Sequence, residues 1–160
     1  MASSFKILTE RGLLVTRFRD RVTDEEFVGL YRRLLGDPRY ETGLTEVADL
    51  RQVDDFRVTT SALRTVDGLI RARLAGSAGC QTLIIAPGNL PYGLARLYGA
   101  LADGGPEQVR VYRTLEETAE GAGLAAETLR DVLDEAGARA RSRRSGQAAR
   151  EPLPSPGILP

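Results

Sequence analysis

Short apolar segments with the spacing of β-strands alternate along this chain with longer segments whose apolar residues recur every three or four positions, as on one face of a helix. Residues 5–20, FKILTERGLLVTRFRD, predict two strands joined as a hairpin at Arg11-Gly12. Thr23 and Glu26 then have the spacing of a capping box, which predicts that the first helix begins there. The chain therefore opens with a hairpin that leads into a helix.

The same patterns predict three more strands and three more helical segments. The strands lie at 44–50, 80–86 and 107–112, and the charged stretch RQVDDFRV at 51–58 predicts a loop. The second helix is predicted to begin after Thr59 or Thr60 as its N-cap, and the third after Asn89 as its N-cap. The last helical segment begins at Leu115 and is interrupted near Gly121-Gly123.

Strands that alternate with helices indicate right-handed crossovers and a parallel sheet. The predicted fold class is thus α/β, with a single mostly parallel five-stranded sheet whose first strand forms an antiparallel hairpin. A sheet covered on both faces has nearly continuous apolar strands, and only TLIIA at 82–86 fits that description. We therefore expect helices mainly on one face, with the other face at least partly open.

Composition excludes several kinds of chemistry. The chain has 160 residues, no histidine and a single cysteine, Cys80, so the familiar zinc sites and the Ser-His and Cys-His nucleophile pairs are excluded. We expect no metal, no cofactor and no catalysis.

No apolar run approaches the roughly 20 residues of a membrane span, and residues 1–12 lack the features of a secretory signal. Together with the lone cysteine, this predicts a cytoplasmic protein.

Charge is uneven along the chain although the formal net charge is zero. Residues 139–160 hold an arginine run followed by prolines among Ser and Gly, which predicts a folded domain at 1–138 and a disordered tail at 139–160. Without this tail the chain is mildly acidic, which makes nucleic-acid binding unlikely. Contact of the tail with an anionic membrane is a weak expectation.

The third helix is the first candidate for a contact surface. It holds Gly93 and Gly99, although each interior glycine costs about 1 kcal/mol relative to alanine. A leucine stripe on it is predicted to pack on the sheet: Leu90, Leu94, Leu97 and Leu101. The residues predicted to contact a ligand or partner are Asn89, Tyr92, Gly93, Arg96, Gly99 and Asp103.

Three explanations of this helix stay open. A partner helix could approach over Gly93 and Ala100, or a small anionic ligand could bind the helix N-terminus, which follows a strand's carboxyl end. Alternatively, the glycines only permit close packing inside the domain. The turn APGN at 86–89 is no phosphate loop, because it has one glycine and no Gly-Lys-Ser/Thr pattern.

Four stretches carry a resemblance to a known superfamily: VTDEEFVGLYRRLLGDPRY at 22–40, VADLR at 47–51, APGNLPYGLARLYGALADGG at 86–105 and VRVYRTLEE at 109–117. With the order of elements, they resemble the STAS superfamily, and more closely its small bacterial SpoIIAA-like group, which shares a fold with CRAL-TRIO lipid-exchange domains. The resemblance spans about residues 5–120. It implies a STAS-like βα superhelix and a regulatory or binding domain.

One motif of that superfamily is missing here. Its anti-sigma-factor antagonists carry a kinase-target serine in an Asp-Ser-Ser/Thr-Gly stretch. Thr59, Thr60 and Ser61 occupy the corresponding place without the preceding Asp or the following Gly. They are weak candidates for a phosphoacceptor, and a helix cap is the favoured role for Thr59 or Thr60.

These observations leave three function hypotheses. The first is a regulatory or binding protein that acts through protein contacts, including self-association as a homodimer. The second is a carrier of a lipid or other small apolar ligand, implied by the CRAL-TRIO kinship. The third is a carboxylate-dependent enzyme, which needs two acidic groups converging in a cleft around Asp49, Asp54 or Asp55.

Overall fold

A computed structural model describes the backbone of residues 3–148 and the side chains of residues 3–137. The elements in chain order are β1 (Ser3–Leu8), β2 (Leu13–Thr23), α1 (Asp24–Leu35), β3 (Thr45–Arg57), α2 (Thr60–Leu74), β4 (Cys80–Ile85), α3 (Asn89–Ala102), β5 (Glu107–Tyr112), α4 (Leu115–Ala122) and α5 (Ala126–Ala148). A short 3-10 turn joins β1 to β2, and Gly12 closes it in the left-handed conformation.

The five strands form one sheet in the order β1-β2-β3-β4-β5. β1 pairs with β2 antiparallel, and every later pair is parallel, which confirms the predicted α/β class and the hairpin. Because consecutive parallel strands lie side by side, right-handed crossovers place α1, α2 and α3 on the same face. The larger apolar core lies between these three helices and the sheet.

The second face of the sheet carries the last two helices. Leu13, Val15, Val47 and Ile85 of the sheet pack there against apolar residues of α4 and α5. The sequence pattern predicted that this face is partly open; over β2 to β4 it is covered. Exposed Gln108 and Arg110 keep it open at β5, because alternate residues of a strand face opposite sides.

Threonine side chains cap three of the helices. Thr23 accepts a hydrogen bond from Glu26 N at 3.4 Å, and Thr59 accepts one from Ala62 N at 3.3 Å, so these two predicted caps are confirmed. Thr114 caps α4 in the same way. The prediction that Asn89 caps α3 is wrong, because the cap residue is Gly88 and no side chain bonds there.

The predicted loop at 51–58 is also wrong, since β3 continues to Arg57. β2 is also long and pairs with this extension, with Val22 opposite Phe56. The extended ladder runs past the end of β4, so its charged residues reach solvent while Phe56 stays buried. Charged side chains are thus compatible with a strand that projects beyond the sheet.

The C-terminal helix passes the predicted domain boundary. α5 runs to Ala148, so the predicted boundary at 138 falls inside it. The remainder of the predicted tail, 149–160, lies outside the described residues.

In the part of the chain that the structure describes, no helix is both long enough and apolar enough to cross a membrane.

Replacing Gly79 by alanine is expected to destabilise the fold more than replacing Gly76. Both glycines have positive φ, at 87° and 74°, which costs an L-residue about 1–2 kcal/mol. A Cβ at Gly79 would in addition overlap the carbonyl oxygen of Pro106, whereas one at Gly76 meets nothing within 4 Å. We expect Gly79→Ala to lower the free energy of unfolding by about 1–3 kcal/mol more than Gly76→Ala, measured by urea denaturation. Equal losses would show that Pro106 moves aside freely.

Candidate functional site

Helix α3 turns a different face to the sheet from the one that its leucines predict. Leu90 is 59% exposed and Leu97 is 37% exposed, while Ala95, Tyr98 and Ala102 are buried. The predicted leucine stripe is therefore wrong for Leu90 and Leu97, whereas Leu94 and Leu101 pack against the core as predicted. The physical reason is a polar contact, because Tyr98 Oη donates a hydrogen bond to Glu107 Oε2 inside the domain.

This rotation brings three of the predicted contact residues together. Tyr92, Arg96 and Gly99 line an open groove of about 220 Å³, and Val109 and Val111 of β5 form its other wall. We call these five residues the α3–β5 groove. Val109 lies 3.5 Å from the position of a Cβ at Gly99, so this glycine keeps the groove open at its centre.

The other three predicted contact residues lie around the groove without lining it. Gly93 is exposed, and a Cβ there would meet nothing within 4 Å. Asn89 precedes Tyr92 by one helical turn, and Asp103 is the C-cap of α3.

Arg113 lies at one end of the groove, although the sequence pattern did not predict it as a contact residue. Its guanidinium carbon lies 3.8 Å from the centre of the Tyr92 ring, a cation–π distance. Arg113 Nη1 also donates to Asn89 Oδ1 at 2.8 Å and to the carbonyl of Pro87 at 3.1 Å. The sequence could have indicated this contact, because Arg113 directly follows β5 and α3 begins at the same, carboxyl end of the strands.

β5 is an edge strand of the sheet. The carbonyls of Pro106 and Tyr112 accept hydrogen bonds from Cys80 N and Ala86 N of the β4 side. Since alternate residues of a parallel strand bond to the same neighbour, Val109 and Val111 direct their backbone N–H and C=O groups to the outer edge. Within the described part of the chain no strand pairs with that edge.

The rim of this edge is basic. Arg96 and Arg110 are exposed and form no ion pair with a described residue. Arg113 adds a third guanidinium at the end of the groove. The edge therefore offers unpaired backbone groups and two valine side chains, with Arg96 on the α3 side of the sheet and Arg110 on its opposite face.

A second polar cluster, absent from the sequence predictions, lies inside the core between the sheet and α1–α3. Glu46 Oε1 accepts hydrogen bonds from Thr16 Oγ1 and Tyr31 Oη, both at 2.7 Å. Thr82 Oγ1 lies 2.7 Å from Glu107 Oε1 and 3.5 Å from Glu46 Oε2. Both carboxyl groups are buried, so one hydroxyl connects two core carboxyls.

Burial dominates the protonation of this cluster. Desolvation, with a smaller contribution from Glu107, raises the pKa of Glu46 to about 7. Desolvation also raises the pKa of Glu107, against the lowering effect of its hydrogen bonds to Tyr98 and Thr82. The pKa values of the Tyr31 and Tyr98 hydroxyls are raised by burial as well, so both act as neutral donors.

Beside this cluster is a small cavity of about 30 Å³. Its walls are mostly apolar, and Tyr31, Thr82 and Tyr98 supply its polar atoms. A cavity of this size holds about two water molecules. A lipid carrier needs a far larger apolar chamber.

The predicted phosphoacceptors lie at the start of α2. Thr59 N and Oγ1 both donate to the Asp24 carboxylate at 2.7 Å, while the hydroxyl accepts from the helix. Thr60 and Ser61 are exposed in the first turn. The cap role that the sequence favoured for Thr59 is confirmed, and a phosphate on Thr59 would face a carboxylate.

The acidic residues proposed for catalysis do not converge. Asp49 lies in β3 and contacts the guanidinium groups of Arg17 at 3.4 Å and Arg51 at 2.9 Å. Asp55 pairs with Arg21 and Arg57 at the projecting end of β3, and Asp54 is exposed. The two carboxyls that do approach each other are Glu46 and Glu107, in the core.

Among the described residues, no group of three His, Cys, Asp or Glu side chains is placed to hold a metal ion. Burial raises the pKa of the Cys80 thiol to about 12, which keeps it protonated and unreactive at neutral pH.

Comparison with solved structures shows a likeness in fold. An uncharacterised protein of the DUF3478 family from Shewanella loihica PV-4, described as having a SpoIIAA-like fold, matches 75% of this chain and 91% of its own length. The identity is 12% and the TM-score 0.48. That description names the same fold group as the sequence resemblance. No family model and no curated protein matches the chain.

Asp49→Asn is expected to destabilise the protein strongly, and Asp55→Asn only slightly. The Asp49 side chain is 1% exposed and its partner Arg17 is 7% exposed, so the variant leaves a buried guanidinium without its counter-ion, at a cost of about 3–5 kcal/mol. Asp55 is 42% exposed, where an ion pair contributes at most about 1 kcal/mol. Thermal and urea unfolding measure both. A small effect at Asp49 would mean that water reaches Arg17.

Gly93→Ala is expected to stabilise the protein by about 0.5–1 kcal/mol, the usual gain for a glycine in a helix interior with free space around it. A Cβ there has no neighbour within 4 Å. The measurement is the urea midpoint against wild type. Loss of stability would contradict the open surroundings of Gly93, while a gain together with weaker partner binding would show that a partner approaches this backbone.

Proposed function

We propose that this chain is a non-enzymatic regulatory or binding protein that acts in the cytoplasm through protein contacts. Its contact surface is the α3–β5 groove with the outer edge of β5, and its partner supplies an acidic, extended segment that adds to the sheet as a further strand. The observation that carries this proposal is the edge of β5, where Val109 and Val111 offer unpaired backbone groups beside the groove.

Strand addition fits the form of this surface. Main-chain hydrogen bonds supply affinity in such complexes, and pockets for alternate side chains supply specificity. The groove lies directly beside the edge, so every second side chain of an added strand would point into it. The rigid wall formed by the Tyr92–Arg113 stack sets where that strand can end.

Charge supports an acidic partner over a second copy of this chain. Arg96 and Arg110 are exposed on the edge without a counter-ion among the described side chains. Two copies that paired through β5 would bring these arginines towards each other, and like charges at an interface oppose association. Carboxylates of an added strand would instead pair with them.

The alternatives have less support. A lipid carrier would have to enlarge a cavity of about 30 Å³. A carboxylate enzyme would need its acid pair to reach a substrate, and Glu46 and Glu107 are 6% and 5% exposed.

The test uses a fluorescent peptide of about six residues, the length of an average strand, with two adjacent Glu among valines so that one carboxylate lies on each face, and a matched peptide with Lys in place of Glu. We expect the acidic peptide to bind and the basic one not to bind, by fluorescence anisotropy. Arg96→Glu with Arg110→Glu is expected to weaken binding at least tenfold, about 1.4 kcal/mol. Arg64→Glu, an exposed change on α2, is the matched control and should leave the affinity unchanged.

Val109→Pro separates strand addition from simple charge attraction. Proline is tolerated where the N–H faces away from the neighbouring strand, so the variant should fold but lose binding. Unchanged binding by Val109→Pro, or equal binding of both peptides, would contradict the proposal. A dimer of the wild type in light scattering that Val109→Pro dissociates would instead assign the edge to self-association.

A further inference from the structure

The hydrogen bonds in the core cluster leave one hydrogen unaccounted for. Thr82 Oγ1 faces Glu107 Oε1 at 2.7 Å and Glu46 Oε2 at 3.5 Å, but a hydroxyl carries a single hydrogen. It can therefore donate to only one of the two carboxyl groups. The other carboxyl oxygen faces Thr82 without a hydrogen between them, unless that carboxyl is itself protonated.

We propose that the folded protein holds one proton between Glu46 and Glu107, relayed through Thr82, and that loss of this proton as the pH rises through neutrality loosens α3 from the sheet. With the proton in place, each contact has one donor: one carboxyl donates to Thr82, and Thr82 donates to the other. This inference is independent of the proposed partner binding.

The groups around the pair cannot neutralise two charges. Its neighbours come from each packed element: Thr16 on β2, Tyr31 on α1, Tyr40 before β3, Cys80 and Thr82 on β4, Tyr98 on α3, and Asp67 with Arg71 on α2. Arg71 is the basic group among them. Its Nε already donates to Asp67 at 2.8 Å and its Nη2 to the carbonyl of Leu101 at 2.9 Å.

The direction of the pH effect follows from burial. The pKa of Glu46 is raised from 4.5 to about 7 in the folded protein, so folding favours the protonated form. This stabilisation is complete below about pH 4.5 and is lost as the pH rises through about 7. The loss is readily visible, because a chain without histidine has few other groups that titrate in this range.

α1 and α3 are both attached to the pair, α1 through the bond from Tyr31 Oη to Glu46 Oε1 at 2.7 Å, and α3 also supplies Leu94, Ala95 and Tyr98 to the wall of the adjoining cavity. Tyr98 Oη donates to Glu107 Oε2, and the cavity of about 30 Å³ adjoins Tyr98, Tyr31 and Thr82. A second negative charge in the core draws water, and this cavity is the nearest space for it. Widening the cavity moves α3 away from the sheet.

The experiment measures thermal unfolding from about pH 5.5 to about pH 8.5 for wild type, Glu46→Gln, Glu107→Gln and the exposed control Glu41→Gln. The wild-type Tm is expected to fall by roughly 5–10 °C over this range, from the shift of Glu46 and the usual dependence of Tm on stability. Each core glutamine supplies the missing donor permanently and removes one titrating carboxyl, so its Tm should fall less than that of wild type, and least in Glu46→Gln. Glu41→Gln should fall like wild type.

Two measurements on the wild type test the proposal even if the glutamine variants fail to fold. Infrared spectroscopy should show a protonated-carboxyl band at about pH 5.5 that is gone at about pH 8.5. Amide hydrogen exchange, corrected for the intrinsic pH effect, should rise in α3 and not in α4. A wild-type Tm that is constant or rises with pH, glutamine variants that keep the wild-type slope, or no protonated-carboxyl band would overturn the proposal.

Discussion

Each crossover from one parallel strand to the next is right-handed. This constraint determines which helices cover each face of the sheet and which edge stays unpaired. Because β2 to β5 lie in chain order, α1, α2 and α3 follow one another across a single face. α3 is the last of them, so it lies over β5, and within residues 3–148 no further helix lies beside it on that face. The α3–β5 groove exists because the series of crossovers stops there.

The same geometry directs polar residues into the core. Glu46 and Glu107 lie on the strand faces that look towards α1 and α3, in the layer that the helices cover. Four hydroxyl groups approach them from β2, β4, α1 and α3. Buried carboxyls are tolerated only when they are hydrogen-bonded or protonated, so the cluster ties both helices to four strands by directional contacts.

Local patterns predicted much of the fold and little of this cluster. The Thr23 and Thr59 caps were predictable because a helix start needs an acceptor for its free N–H groups within a few residues. The segment TEVADL gave no such indication for Glu46, since the same alternation also places Asp49 on the opposite, covered face. Which carboxyl contacts which hydroxyl depends on strands that are distant in sequence. The local hydrophobic pattern of one strand contains no information about such contacts.

The orientation of α3 shows how a polar contact can override an apolar stripe. If all four leucines set the rotation, Leu90 and Leu97 would be buried with Leu94 and Leu101, and Tyr98 would lie at the margin of the buried face. The observed rotation buries Tyr98 and leaves Leu90 and Leu97 largely exposed. A hydrogen bond to a buried carboxyl fixes direction more sharply than apolar packing, which is non-directional. The contact in the core thereby also determines that Tyr92, Arg96 and Gly99 face the groove beside β5.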